Sequence, residues 1–276
     1  MELRWQNKIP MNSKVVVIPT ADVNQDHTQR AIDCFIHQHF DILCVQDSGK
    51  DFVFSKSMNA GIDEVLKNQN YKIIGLSNDD IYDFTYKSSK LLAHKMETSN
   101  IVYFRGRDQK RNGFTSSRLH YIINVTLIQK APFHAVRNLK YFADRGKERK
   151  FIIPMPSFIE DRCIQPLAFF KREILENYKF DENIVNGVED DDLLYRLIAN
   201  KHIIFEFGGY ISHITGATFR KIVNTDSDNY YGRINHLRDN AVYFSNKHIM
   251  DKMDRSPLKP YKVIYWNLRK RIKARR

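Results

Sequence analysis

Three short apolar runs organise the first eighty residues: Val15-Val16-Val17-Ile18, Ile42-Leu43-Cys44-Val45 and the run from Lys72 through Ile73-Ile74-Gly75 to Leu76. Each is closed by turn formers, namely Pro19, Asp47-Ser48-Gly49 and Ser77-Asn78-Asp79-Asp80. Runs with no polar alternation predict strands buried on both faces. Between them, Ala31, Ile32, Phe35 and Ile36 recur at helical spacing, as do Met58, Ile62, Val65 and Leu66. Strand, helix, strand, helix, strand within about 65 residues predicts a parallel sheet with right-handed crossovers.

The pattern continues with a helix over 86–97 and a strand over 101–104. Residues 105–120 are polar, basic and poorly periodic, with an Asn112-Gly113 turn, and read as a mobile loop. A strand is predicted over 121–128 and a basic, proline-interrupted stretch over 130–160. Then come a strand over 165–170, a short helix over 172–178 and a helix over 190–200 with Leu193, Leu194, Leu197 and Ile198 inward. A strand over 203–207 runs into Gly208-Gly209 and is followed by Ile211-Ser212-His213. A long helix over 228–247 and a basic tail end the chain.

Composition narrows the class. The chain has 276 residues, 42% hydrophobic and 28% charged, with only 11 Gly and 8 Pro, which excludes collagen-like and largely disordered chains. Forty-four basic against 32 acidic residues give +12, a charge suited to polyanions. That excess is local. Residues 105–150 carry 12 basic and 3 acidic residues, residues 259–276 carry 8 basic and none acidic, and the rest of the chain is net acidic. Three cysteines, Cys34, Cys44 and Cys163, form no C-x-x-C pair, which argues against a disulfide framework or structural zinc and suits a reducing, cytoplasmic setting. No apolar run approaches the ~20 residues of a membrane span, and the first residues lack the apolar stretch of a signal peptide.

Ligands of parallel α/β sheets bind at the carboxyl ends of the strands. The polar residues there are Thr20, Asp47 and the Asn78-Asp79-Asp80 group. Adjacent aspartates raise one another's pKa, and a divalent cation removes the conflict; Mg²⁺ and Mn²⁺ typically take one or two carboxylates together with substrate phosphates. Capping of the following helix is the alternative explanation for the same residues. In the second acidic cluster, Glu189-Asp190-Asp191-Asp192, the helix dipole accounts for one or two of the four acids. One carboxylate can then face a site as general base while Asp192 pairs with Arg196 at i+4.

These motifs, in this order, resemble the inverting glycosyltransferases of family 2. Val15-Val16-Val17-Ile18-Pro19-Thr20 resembles that family's opening strand with Pro-Thr. Val45-Gln46-Asp47-Ser48-Gly49 is similar to V-D-D-G-S, Ser57-Met58-Asn59-Ala60-Gly61-Ile62 to R-N-x-G-I, and Asn78-Asp79-Asp80 to D-x-D. Phe180-Asp181-Glu182 with Glu189-Asp190-Asp191-Asp192-Leu193 and Arg196 resembles F-D-E followed by E-D-x-D-L-x-x-R, and Ile211-Ser212-His213 with Gly216 and Thr218 resembles I-x-H-x-x-G-x-S. The similarity spans residues 14 to about 220. Gln46, Met58 and Asn78 depart from the pattern.

The resemblance implies a GT-A fold: α/β, with a Rossmann-like, mostly parallel central sheet flanked by helices, here followed by a C-terminal helical basic tail. It divides the chain into a nucleotide-sugar half over 1–104, an acceptor and catalytic half over 105–225, and a C-terminal helix and tail over 226–276. It implies Asp80, Asp79 and His213 as ligands of Mn²⁺ or Mg²⁺. Pro19, Thr20, Asp47, Asn59, Gly61, Asn78 and Asp79 would bind a UDP-, GDP- or dTDP-linked sugar. Asp190, with Glu189 orienting the acceptor or sharing the role, would be the base that deprotonates the hydroxyl of a glycan or glycolipid acceptor.

The tail adds a separate expectation. Tyr261, Tyr265, Leu268 and Ile272 recur at 4-3-4 spacing among cations, the pattern of a basic amphipathic helix on an anionic membrane surface. Packing of that stripe on the domain is the alternative. Two other functions suit paired aspartates and positive charge: a metal-dependent nucleic-acid enzyme, and a non-catalytic polyanion-binding protein on the same fold. The order of the motifs favours the glycosyltransferase, for which no nucleic-acid partner is expected.

Overall fold

A computed structural model describes residues 1–48, 52–108, 164–185, 189–200 and 202–213, together with Asn240, Tyr243 and Lys247. The strands are β1 (Glu2–Asn7), β2 (Lys14–Thr20), β3 (Asp41–Gln46), β4 (Ile73–Ser77), β5 (Ile101–Asp108), β6 (Leu167–Lys171) and β7 (Phe205–His213). The helices are α1 (Asp26–Ile36), α2 (Phe54–Leu66), α3 (Tyr86–Thr98), α4 (Arg172–Asn177) and α5 (Glu189–Ala199). All seven strands join one sheet in the order β1-β3-β2-β4-β6-β5-β7. Pairing is parallel for β3-β2, β2-β4 and β5-β7, and antiparallel where β1 and β6 take part, so five strands run one way and two the other. This is the mostly parallel, helix-flanked α/β sheet expected from the sequence.

The apolar runs read as doubly buried strands because alternate residues feed two cores. Val15, Val17, Leu43 and Val45 face one side, where Met58, Ile62 and Val65 of α2 and Leu193, Leu194 and Leu197 of α5 cover them. Val16, Ile18, Ile42 and Cys44 face the other, against Ala31, Ile32 and Phe35 of α1 and Leu92 and Met96 of α3. On that second side Phe169 lies within ring-contact distance of Phe35, Phe40, Phe84 and Phe104. Gly61 lets α2 settle on the sheet, since a Cβ there would stand 2.3 Å from Val17 Cγ1 and 2.8 Å from Val45 Cγ2.

Pro19 sits in a central strand without breaking it. The Thr20 carbonyl accepts from the Asp47 amide, so even-numbered residues of β2 bond toward β3 and odd-numbered ones, Pro19 included, toward β4. Pairing of β2 with β4 ends at Val17↔Leu76, and the Asn78 amide donates instead to the Pro166 carbonyl. The proline's missing donor therefore falls where no ladder bond is required.

Three expectations change. The pattern from 203 to 213 is one strand, because Gly208 is an extra residue between the pairs Tyr103↔Phe207 and Phe104↔Gly209: a bulge that Gly209 accommodates at φ 130°. The predicted loop beginning at 105 starts too early, since β5 continues to Asp108, paired with β7. The edge strand β1 carried no signal in the hydrophobic pattern, because only Leu3 and Trp5 of its six residues are apolar. The expected strand over 121–128, the stretch 130–160 and the tail 259–276 lie outside the described residues. So does most of the predicted helix over 228–247. Among the described residues no helix is long and apolar enough to cross a membrane.

Candidate functional site

The site is built from strand ends. Strands β2, β3, β4, β5 and β7 all terminate at one edge of the sheet, carrying Thr20, Asp47, Asn78-Asp79-Asp80 and His213 to it. A further contributor is α5. Its C-terminal end connects through residues 200–204 to β7, which begins beside Ile101 at the opposite edge. Eleven residues at about 1.5 Å each then carry its first turn back about 16 Å to the edge with the strand ends. A buried hydrogen bond from Ser55 Oγ of α2 to the Ile184 carbonyl (3.0 Å) ties the segment leading toward Glu189 and Asp190 to the helix that follows β3.

Thr20 is buried, and its hydroxyl shapes the turn after β2: it lies 3.1 Å from Thr28 Oγ1 and accepts from the Asp22 amide. Gln46, which departs from the resembling motif, accepts the Val23 amide through Oε1 at 3.2 Å and so holds the same turn against β3. Asn59 is fully engaged in packing. Its Nδ2 donates to the Phe180 carbonyl and Glu182 Oε1, and its Oδ1 accepts the Phe180 amide. Asn59 and Gly61 thus lie beneath the strand ends as supports, joining α2 to the segment before α5 and to the sheet.

Asp79 and Asp80 diverge in environment. Asp79 Oδ2 lies 3.5 Å from His27 Nε2. Asp80 is 7% exposed, and its Oδ1 is buried without a hydrogen-bond partner among the described residues. Burial first, and then the neighbouring Asp79 charge, push the Asp80 carboxyl up to about 7, against a smaller opposing pull from His27. An orphaned carboxylate oxygen beside a second carboxylate is what a hard divalent cation satisfies. Among the described residues no three His, Cys, Asp or Glu side chains converge on one point. The residues fit an ion held by one or two protein oxygens and completed by a diphosphate, as is usual for Mg²⁺.

His213 reaches this neighbourhood through backbone pairing. It forms an antiparallel bridge with Ile81, directly after Asp80, while Asp83 grips Ser212 with both oxygens, accepting from its amide and its hydroxyl at 2.6 Å each. The His213 ring lies over Gly106: a Cβ on that glycine would stand 2.3 Å from Cε1 and Nδ1. His27, Asp83 and Gly106 went unnoticed in the sequence. His27 had the one usable signal, since the first turn of the helix following β2 must open toward the same edge as the strand ends.

Within the acidic cluster the expected i+4 pair is present. Asp192 is 0% exposed and accepts from Arg196 Nε at 2.9 Å, the predicted i+4 pair, and Lys247 Nζ lies 3.0 Å from its other oxygen. Glu189 is buried and Asp190 is half-buried at the start of the helix.

No protein-family profile matches the chain, and no curated protein matches it. Among solved structures, A197 from STIV is 12% identical over 71% of this chain and 81% of its own, with a TM-score of 0.38. Glucosyl-3-phosphoglycerate synthase from Mycobacterium tuberculosis, solved with Mn²⁺, uridine diphosphate and phosphoglyceric acid, is 12% identical over 76% of both chains, with a TM-score of 0.40. A CMP:2-keto-3-deoxy-manno-octonic acid synthetase complexed with CTP is 10% identical over 76% of this chain and 97% of its own, at 0.36.

Proposed function

We propose that the chain is a metal-dependent inverting glycosyltransferase that moves a sugar from a nucleotide-diphosphate sugar to the hydroxyl of a glycan or lipid-linked glycan acceptor. The observation that carries this reading is the buried, unpartnered Oδ1 of Asp80, beside Asp79 at the carboxyl end of β4. In this reading Asp80, with Asp79, would hold Mn²⁺ or Mg²⁺ against the donor diphosphate, and His213 would close on the ion only once it is bound. When bound, such a cation would supply Lewis-acid neutralisation of the charge that grows on the leaving group. Pro19, Thr20, Asp47, Asn78 and Asp79 contact the nucleotide, while Asn59 and Gly61 position the elements that carry them.

Asp190 accepts the proton of the acceptor hydroxyl as its oxygen attacks the anomeric carbon. The bond to the diphosphate breaks on the opposite face, so one displacement inverts the centre. Glu189 orients the acceptor. Residues 1–104 form the donor half and 105–225 the acceptor half, and the tail 259–276 docks on anionic lipid where the acceptor is membrane-borne.

Titration with UDP-, GDP- and dTDP-sugars in the presence of Mn²⁺ tests the reading. At least one should raise the melting temperature, and EDTA should abolish the shift. Tight nucleic-acid binding with no nucleotide response would overturn it in favour of a nucleic-acid enzyme. For the base, Asp190→Asn should keep donor binding and lose at least about a hundredfold in transfer, the usual scale for removing a general base. Normal transfer by that variant would remove Asp190 from the role.

A further inference from the structure

The acidic helix and the segment before it are held by three residues far along the chain. Asn240, Tyr243 and Lys247, each in helical backbone, are separated by three and four residues, the spacing of one helix face. Asn240 pairs with the backbone of Val185 in both directions, accepting its amide at 3.1 Å and donating to its carbonyl at 2.5 Å. Tyr243 donates its hydroxyl to Asp181 Oδ2 at 2.9 Å. Lys247 bridges two carboxylates, lying 2.5 Å from Asp181 Oδ2 and 3.0 Å from Asp192 Oδ1.

Nothing in a solvated terminal helix requires this arrangement. Asp192 is wholly buried in the first turn of α5, where Arg196 donates to its Oδ2 and Lys247 meets its Oδ1. Asp181 already accepts the Asn183 amide and side chain on Oδ1. Burial opposes ionisation of Asp181, but the hydrogen bonds from Lys247, Asn183 and Tyr243 outweigh it and hold the carboxyl well below the usual range. A cation between the buried Asp192 and the part-buried Asp181 fixes the distance between their backbones, here the loop before α5 and the turn that bears Glu189 and Asp190. Removing it takes away the one cation that joins the two carboxylates, leaving Asp192 to Arg196 and Asp181 to Asn183 and Tyr243, with the buried Asp192 the more sensitive of the two.

We infer that Asn240, Tyr243 and Lys247 form a clamp on the acidic first turn of α5, and that Lys247 is a positioning residue for the carboxylates at its start. The clamp itself stands on geometry alone, and its consequence for transfer rests on the function proposed above.

The experiment compares full-length wild type, Lys247→Met, Lys247→Arg and Tyr243→Phe by hydrogen exchange, nucleotide-sugar binding with Mn²⁺, and transfer kinetics. In Lys247→Met, amides 189–193 should exchange about tenfold faster while those of β2 and β4 keep their rates, as expected for local opening. The kcat for transfer should fall about tenfold with nucleotide binding unchanged, since the donor residues lie elsewhere. Lys247→Arg, which keeps the charge, should restore both to within about threefold. If Lys247→Met fails to fold, Tyr243→Phe, which deletes a single hydrogen bond, should still speed exchange of the same amides about two- to threefold. Unchanged exchange over 189–193, or an equal rise across the whole sheet, overturns the clamp. The local exchange effect in a wild-type protein that transfers no sugar supports the clamp and removes the glycosyltransferase reading instead.

Discussion

At the scale of single residues, the site depends on how differently neighbouring acids are treated. Asp79 has His27 beside it, whereas Asp80 is buried with an oxygen unmet and its carboxyl pushed up to about 7 by burial and by Asp79. The folded protein therefore binds the Asp80 proton more tightly than the unfolded chain does. Its contribution is fully favourable below about pH 4 and is lost as pH rises toward 7. Without a cation, Asp80→Asn should flatten that part of the pH profile and stabilise the protein at pH 8 by about 2–4 kcal/mol, the scale of a shift of a few pK units. The variant should also lose metal-dependent nucleotide binding. Melting curves from pH 4 to 8, with EDTA or with Mn²⁺, check both. An identical slope in the two proteins would show that Asp80 is not the group responsible.

At the scale of elements, position is decided by pairing and by where a side chain is absent. β7 delivers His213 to the site because its register with β5 shifts by one residue at Gly208, and Gly106 on β5 leaves room for the imidazole. Gly106→Ala should displace the ring and weaken Mn²⁺ binding in the presence of nucleotide about tenfold, the usual scale for disturbing a ligand's support. Isothermal titration of Mn²⁺ would measure it, and unaltered affinity would separate His213 from the metal. The hydrophobic pattern announced β2, β3, β4, α1, α2 and α3 within a few residues because each buries an uninterrupted face. It broke β7 at Gly208-Gly209, since a bulge and a strand end use the same residue type. The polar edge strand β1 escaped it altogether.

At the scale of the whole molecule, charge and chemistry are segregated. The carboxylates proposed for catalysis lie outside both basic segments, so the +12 does not describe the site. We expect the tail to act at an anionic surface. Full-length protein should co-sediment with anionic liposomes, and a 1–257 form should not, with the difference shrinking as salt is raised. Equal binding by the two forms would assign the interaction to another part of the chain.

What the amino-acid order determined by itself was local: which runs are buried on both faces, which polar residues stand at their ends, and the i+4 pairing of Asp192 with Arg196. Those follow from periodicities of two and 3.6 and need no knowledge of distant partners. The direction of β6, the bulge that aims His213, the burial that singles out Asp80 from Asp79, and the grip of Lys247 on Asp181 and Asp192 were decided only by the tertiary structure. Each of these depends on residues tens to more than a hundred positions apart, and desolvation or an ion pair exists only once the fold has brought its partners together.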